Sequence, residues 1–501
     1  MKIYRLIAWF LAVLSLPLNV ALADDTELGS ISFSNSGAAG AQTAFLTGVK
    51  ALHSFQFDEA RFAFEEAQKI DPSFALAYWG QAMSDNHPLW AQQDMAAATA
   101  ALKRLAPTFS GRLAKAETEK EKAYLTAIES LYYSADDKLE RDFAYSDQMA
   151  RMHERWPEDD EVSAFYALSL LGTVRQGDQG YRRQALAASI AQSIFTKNEQ
   201  HPGGAHFIIH SFDDPDHAIL ALPAATVYAE IAPASAHALH MPSHIFLQLG
   251  RWQDVVDSNI DAYSAAVAVI NEFGLSEGRE DFHTLSWRAY AYLMLGDFDE
   301  AAKDLALAKD TMARNPDSAR IHNGYLNILS RHVLETQQWD VFELAALDSV
   351  EGSHASWVSV VGMSAAHRGD SDLALNTINR LAILSEAAQS NNDVYGAKQI
   401  AILQKETMAV MSLANGDTDT AIAQAGEAAQ MEIRDMQAPS GPPVPMKPAA
   451  ELYADILLAA NRPVEALAAY QQSLQWIPLR TPSIVGMEKA RASSDDSATA
   501  E

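Results

Sequence analysis

The 501-residue chain contains no cysteine. This absence excludes disulfides, thiolate catalysis and thiolate metal ligands, and it fits an oxidising compartment in which a free thiol would react. Basic residues are also few, with 37 Lys and Arg against 65 Asp and Glu, so the formal net charge is −28. Such a surface repels nucleic acid and anionic lipid, and we therefore expect neutral, cationic or metal-ion partners and no nucleic acid.

Several sequence patterns that identify common enzymes are also missing. The chain has no Gly-rich phosphate loop, no G-x-S-x-G elbow and no H-E-x-x-H motif. Strand-favouring runs of Val, Ile and Thr are scarce, whereas alanine is abundant, and this pattern favours helices. The length exceeds what one hydrophobic core usually supports, so several domains or a repeat array are expected.

The N-terminus has the pattern of a secretory signal. Two basic residues precede an apolar stretch over 6–18, and a small-x-small triplet ends at Ala23. We predict a cleaved signal peptide over 1–23 and a periplasmic or secreted protein that has no membrane association after cleavage. Residues 24–40 are predicted to form a flexible N-terminal segment.

A repeat with a period of about 34 residues organises the rest of the chain. In its first copy, small, aromatic and helix-ending residues occupy the required positions, namely Gly48, Ala60, Phe64, Ala67 and Pro72. Small residues let two helices approach, the aromatic ring fills the gap and proline ends the second helix. The inter-helix turn recurs at Gly250, Gly296, Gly369 and Gly416.

This register predicts an all-α, tetratricopeptide (TPR)-type α-solenoid, a right-handed superhelix of antiparallel helix pairs, over residues 41–480. The proline-rich stretch 437–447 is predicted to be a linker before the last helix pair. Residues 481–501 lose the periodicity and are predicted to be a disordered tail.

The histidines follow the same register. Two H-x-x-x-H pairs, His206/His210 and His240/His244, stand one full repeat period apart, so they occupy equivalent positions on the first helices of consecutive repeats. Spacing of i, i+4 places both rings of a pair on one helix face. In this fold that face lines the concave groove, where we also place His237 and Asp213. Stacked helices lie about 8–10 Å apart, so one four-His site, a mixed His/Asp site or a two-metal site are all allowed.

A further coincidence of register involves His53 and His87, which are also separated by one repeat period. We count both as candidate metal ligands on a wall that the superhelix can bring opposite the first cluster. Imidazole with carboxylate suits several transition metals, and Zn or Cu is expected here. Duplication of a repeat, hydrogen bonding to a peptide, or ordinary burial also accounts for repeated histidines.

Two segments carry a resemblance to known proteins. Residues 201–210 (HPGGAHFIIH), followed by 213–215 (DDP), and residues 237–246 (HALHMPSHIF) resemble segments of a group of exported bacterial TPR proteins. The opening repeat, from LHSF at 52–55 to YWG at 78–80, resembles the same group. The resemblance covers most of the mature chain and implies an exported solenoid, but it implies no particular reaction.

Three functional hypotheses follow. The leading one is a groove-held transition metal that activates water or a small substrate if coordination positions remain open, with Asp213 as ligand or general base and His237 in support. The second is a scaffold that binds a peptide or partner protein in its groove. The third is metal storage or delivery without catalysis.

Overall fold

The computed structural model describes residues 27–175, 178, 180–340 and 354–500, the last six as backbone only. The predicted signal peptide lies outside these residues. Over the described ranges the chain is almost entirely helical, and the only strands are a short antiparallel pair, β1 (Asn86–His87) and β2 (Gln92–Gln93). The prediction of an all-α solenoid of TPR-type helix pairs is confirmed.

The described part of the N-terminal half forms the first fourteen α-helices. They are α1 (Gln42–His53), α2 (Phe57–Ile70), α3 (Ala75–Ser84), α4 (Met95–Leu105), α5 (Phe109–Leu113), α6 (Glu119–Tyr133), α7 (Lys138–Arg155), α8 (Asp160–Gly172), α9 (Arg182–Lys197), α10 (Pro202–Ser211), α11 (Ala218–Ile231), α12 (Ala236–His240), α13 (Pro242–Gln248) and α14 (Trp252–Phe273). Short 3₁₀ turns cover Ala39–Ala41 and Pro88–Trp90.

The described part of the C-terminal half continues the pairing. Its helices are α15 (Glu280–Leu295), α16 (Phe298–Arg314), α17 (Ala319–Thr336), α18 (Ala355–His367), α19 (Ser371–Ser390), α20 (Val394–Ala414), α21 (Thr418–Asp435), α22 (Ala449–Ala459), α23 (Pro463–Trp476) and α24 (Thr481–Ala500). No helix in the described ranges has the length and apolarity needed to cross a membrane.

The first pair illustrates why these residues fold as they do. Phe64 of α2 is fully buried, and a Cβ added at Gly48 of α1 would lie 2.8 Å from its ring. The absence of a side chain at Gly48 therefore lets the two helices approach. The turn after α15 works differently: Gly296 takes the left-handed φ of 74° that closes the helix, and the Asp297 side chain caps α16.

The N-terminal repeats close on themselves. Helix α1 contacts α10 as well as its neighbours α2 and α3, and α8 contacts α10. The described part of the predicted flexible segment takes part in this closure. Leu28 and Phe33 are buried, and the Ser30 backbone N–H donates to the Gln200 carbonyl at 2.8 Å. Residues 27–40 therefore run from the α9–α10 turn to α1, α3 and α6, where Phe33 packs against Phe45, Trp79 and Tyr124.

The chain also returns at its C-terminal end. Residues Thr481–Ala500 form α24, which packs against α23, α22 and α15, where the sequence predicted a disordered tail. The buried Arg480 holds the start of this helix. It donates to both carboxylate oxygens of Glu451 at 2.8 and 3.0 Å, to Glu335 at 2.6 Å and to the Tyr290 hydroxyl at 3.1 Å. A lone helix of Ser, Ala and Asp has little reason to form, but this anchor and its contacts stabilise it.

The predicted linker 437–447 lies against the inner helices. The Pro439 carbonyl accepts a hydrogen bond from the Gln248 side chain at 2.7 Å, and the Pro443 carbonyl accepts one from the Arg331 side chain at 3.0 Å. A Cβ added at Gly441 would lie 2.6 Å from the Trp287 ring, so the segment packs closely on α15. We call residues 437–447 the proline strap. It contacts α13, α15 and α17, the first helices of three consecutive pairs.

Replacing Arg480 with Leu should destabilise the protein strongly. Removing one partner of a buried ion pair leaves an uncompensated charge, which costs about 3–5 kcal/mol. We expect a loss of this size in the free energy of unfolding measured by urea denaturation. Arg462→Leu is the matched control, because Arg462 pairs with Glu465 on the exposed surface. An equal effect of the two substitutions would contradict the assignment of Arg480 as an anchor.

The same network predicts a pH dependence. Burial alone would raise the pKa of Glu451, but Arg480 and Lys447 lower it from 4.5 to about 2. Because the folded-state pKa is lower than the unfolded one, the pair stabilises the protein fully above the unfolded value, and this contribution is lost as the pH falls towards the folded value. The stability difference between the wild type and Glu451→Gln should therefore be largest at neutral pH and shrink in acid. A difference independent of pH would contradict this account.

Candidate metal centre

Six histidines meet on the inner face of the solenoid, on the first helices of three consecutive pairs. They are His206 and His210 on α10, His237 and His240 on α12, His244 on α13 and His283 on α15. The ring centroids of His206 and His210 are 4.6 Å apart, and those of His240 and His283 are 4.5 Å apart. The predicted convergence of groove-facing rings is thus present, with His283 as an additional member.

The first histidine triad consists of His206, His210 and His237. One ring nitrogen of each lies within 4.8 Å of the others. The Nε2 atom of each ring is buried and has no hydrogen-bond partner in the described structure. An unpartnered polar atom in a buried place is costly, and three of them on neighbouring rings mark a place where a ligand is expected.

Hydrogen bonds fix the other ring nitrogen in two of these rings, His206 and His237. His206 donates through Nδ1 to the backbone carbonyl of His53 at 2.6 Å. His237 donates through Nδ1 to Glu280 at 3.3 Å. These bonds place the proton on Nδ1, so Nε2 carries a lone pair, which is the tautomer that metal-binding histidines adopt.

The second histidine triad consists of His240, His244 and His283. The Nε2 atom of His240 lies 3.1 Å from that of His244 and 2.9 Å from that of His283. For comparison, three nitrogens held at 2.0–2.1 Å around a tetrahedral ion are about 3.3–3.4 Å apart. Helix α12 ends at His240 and α13 begins at Pro242, yet the two rings remain neighbours on consecutive turns.

The hydrogen bonds of the second triad also fix its tautomers. The buried Asn259 donates through its amide nitrogen to the Val255 carbonyl at 2.8 Å, so its oxygen faces His240 and accepts from Nδ1 at 2.7 Å. Asp213 accepts from Nδ1 of His244 at 2.6 Å. With both rings neutral, the Nε2 atoms of His240 and His244 both carry lone pairs, and two acceptors 3.1 Å apart cannot form a hydrogen bond with each other.

Burial keeps several of these rings neutral. It lowers the pKa of His206, His210 and His240 well below the usual value, and the neighbouring imidazoles act in the same direction. Neutral imidazole is the form that coordinates metal ions. Access differs between the triads, because His206 is fully buried whereas His283 is exposed to solvent.

A third group has a different character. Glu161 of α8 accepts from Nε2 of His53 at 2.8 Å and from Nε2 of His201 at 3.2 Å, and all three side chains are buried. Burial alone would raise the pKa of Glu161, but the two imidazoles lower it to about 2. Nδ1 of His201 accepts from the Gly204 backbone N–H at 3.1 Å. We call this set the Glu161 triad. It ties α1, α8 and α10 together with most of its hydrogen-bonding groups satisfied.

The remaining predicted site residues have the following places. Asp213 lies behind His244, as the acceptor that orients the ring. His53 belongs to the Glu161 triad and supports His206 through its carbonyl oxygen. His87 stacks on Phe57 at 4.0 Å and belongs to none of the metal-capable groups among the described residues. Metal ligation by His53 and His87, and a catalytic role of Asp213, stay predictions.

Aromatic side chains surround the two histidine triads. The ring centroid of Phe55 lies 4.4 Å from that of His206, and the Phe55 ring also neighbours His210 and His237. Trp287 lies 4.3 Å from His244 on the other side of the cluster. These rings limit the access of water to the coordinating nitrogens. They also place a tryptophan beside the second triad, where its fluorescence can report on a bound ion.

Sequence reasoning missed the groups that orient the rings. Glu280, Asn259 and Glu161 are separated by 19 to 108 residues from the histidines that they contact. Glu280 stands three residues before His283 on α15. This i, i+3 spacing is the one local signal in the sequence that connects an orienting residue to the histidine cluster.

Comparisons with known proteins give no family. No protein-family model matches the chain, and no curated protein matches it. Among solved structures, the TPR domain of P58(IPK) is similar at 14% identity over 92% of this chain and 99% of that one, with a TM-score of 0.21. Yeast Tom70 is similar at 11% identity over 91% and 89%, with a TM-score of 0.35. At these TM-scores the similarity carries no argument about function, and the fold described above rests on this chain's own helix pairing.

Proposed function

We propose that this protein is a periplasmic or secreted TPR-type solenoid that binds a transition-metal ion, Zn or Cu, through histidines on its inner face. The bound ion would serve metal-dependent chemistry on a small molecule. The observation that carries the proposal is the first histidine triad, in which three neighbouring rings each have a buried Nε2 atom without a hydrogen-bond partner among the described residues.

The chemistry of the donor set supports this proposal. Neutral imidazole nitrogen suits Zn, Cu, Ni and Fe, and the three ligands leave a fourth position for water or substrate. When bound, such an ion polarises a carbonyl or lowers the pKa of a water molecule. The chain's own contribution is to hold the rings in the coordinating tautomer, through the His53 carbonyl and Glu280, and to limit the access of bulk water with Phe55.

Electrostatics favour the same class of ligand. With a net charge of −28, the chain attracts cations over a long range and repels anionic partners. Within the described ranges, the triad itself contains no charged ligand. A divalent cation is therefore drawn to the protein by its overall charge and selected by neutral nitrogen donors.

A second candidate function is peptide binding in the groove, and the proline strap favours it. Gln248 and Arg331 donate to the backbone carbonyls of an extended, proline-rich segment, which is how such peptides are commonly recognised. Here the chain supplies its own segment. Displacing the strap with Gly441→Val and adding a synthetic peptide of residues 436–448 tests this function. Chelator-independent binding of the peptide by the variant would support it, and no binding would argue against it.

Metal binding is tested with the untagged protein, purified without a metal-affinity resin. The apoprotein should bind Zn²⁺ in isothermal titration calorimetry, and His210→Gln should weaken this binding. Loss of an orienting group alone typically costs about 10–100-fold in affinity, and we expect the loss of a ligand to exceed that. Metal content measured by mass spectrometry gives an independent count of bound ions.

His217→Gln is the matched control. His217 is half-buried and pairs with Asp214 at 2.8 Å, and it belongs to neither triad. This variant loses one imidazole but should keep the wild-type affinity. A wild type that binds neither Zn²⁺ nor Cu²⁺ would contradict the proposed function, as would equal losses in the two variants.

A further inference from the structure

The second histidine triad has its own ligands, its own orienting groups and its own access to solvent. We infer that His240, His244 and His283 bind a second transition-metal ion, distinct from the first and open to the groove. This inference rests on the proposed function, because it adds an ion to the same centre.

The geometry separates the two ions. The three ligand nitrogens of each triad lie within 4.8 Å of one another, and the two triads form separate groups. Within the second triad the Nε2 atoms approach to 2.9 and 3.1 Å. The second triad therefore converges on a centre of its own.

The orienting groups lead to the same conclusion. The first triad is held by the His53 carbonyl and by Glu280, whereas the second is held by Asn259 and Asp213. In the described structure, each of these four acceptors forms its hydrogen bond with a ring of one triad and with no ring of the other. Each set fixes Nδ1 as the donor, so the Nε2 lone pairs point into two centres.

Hydrogen bonding among the neutral rings of the second triad leaves one acceptor nitrogen unpaired. With both rings neutral, the Nε2 atoms of His240 and His244 face each other as acceptors at 3.1 Å, and a proton from His283 can satisfy only one of them. A cation between the three atoms satisfies all of them at once.

The two ions differ in access. His206 and His237 of the first triad are buried, and Phe55 packs against their rings. His283 of the second triad is exposed, so an ion there has a side open to the groove. Three protein ligands with an open fourth position are typical of catalytic metal sites. A neutral or cationic small molecule would therefore be bound at the second ion.

Glu280 links the two centres as a positioning residue. It accepts from His237 of the first triad and lies one helical turn before His283 of the second. Through His237 it acts on the first ion. Glu280→Gln should weaken the first ion's binding by about 10–100-fold and leave the second ion in place.

The test counts ions. The wild-type protein, titrated with Zn²⁺ and dialysed, should retain two equivalents. His283→Gln and His210→Gln should each retain one, and the control His217→Gln should retain two. His283 is exposed, so its substitution leaves the buried core intact, and circular dichroism checks the fold of each variant.

Fluorescence assigns each ion to its triad. Trp287 lies 4.3 Å from His244 and 4.8 Å from His240, so Cu²⁺ in the second triad should quench it. In a Trp90→Phe background, which removes the tryptophan whose ring lies 6.4 Å from His237 of the first triad, His283→Gln should lose this quenching, whereas His210→Gln should keep it. Trp287→Phe should lose it as well while retaining two ions.

The outcomes distinguish the two proposals. No bound ion in the wild type would overturn both the proposed function and this inference. One ion, lost in both His283→Gln and His210→Gln, would mean a single shared centre, and one ion that is unaffected by His283→Gln would place the metal in the first triad alone. Either result would overturn the second ion and leave the proposed function standing.

Discussion

The closure of α1 onto α8 and α10 is the contact on which the histidine centre depends. Glu161 accepts hydrogen bonds from His53 and His201, so a buried carboxylate joins three helices that are far apart in sequence. The same contact brings the His53 carbonyl to His206 and sets that ring's tautomer. Without the closure, the first triad would lose both its support and its shielding.

The repeat register explains how much of the centre was predictable. The regular repeat period places His206 and His240 at equivalent positions, and the i, i+4 spacing adds His210 and His244 on the same faces. These are local and periodic features, so sequence alone predicts them. The convergence of five groove-facing rings therefore followed from helix geometry and repeat phase.

The grouping of the rings could not be predicted in the same way. His237 joins His206 and His210, whereas His283 joins His240 and His244 from the first helix of the following pair. The orienting residues come from distant segments, and no pattern in the sequence pairs Glu161 with His53. The same limit applies to α24, whose helix is stabilised by Arg480 through contacts with α15, α17 and α22. Local propensity predicts a disordered tail there, and tertiary contact reverses it.

The solenoid thus combines two uses of its inner face. Toward the C-terminal half, the proline strap lies on α13, α15 and α17 and occupies the surface that a bound peptide would use. Toward the N-terminal half, six imidazoles fill the space between the first helices of the pairs. Trp287 lies between these regions, because it contacts both Gly441 of the strap and His244 of the second triad. The groove surface that the proline strap occupies and the histidine centre are therefore next to each other.

The central claim is that the histidine rings coordinate metal directly through Nε2. X-ray absorption at the metal edge of the Zn-loaded, untagged protein tests it most directly. The account predicts an average of three imidazole nitrogens per ion at about 2.0–2.1 Å, with the multiple-scattering pattern of histidine rings. A first shell made only of oxygen, with no imidazole scattering, would contradict it.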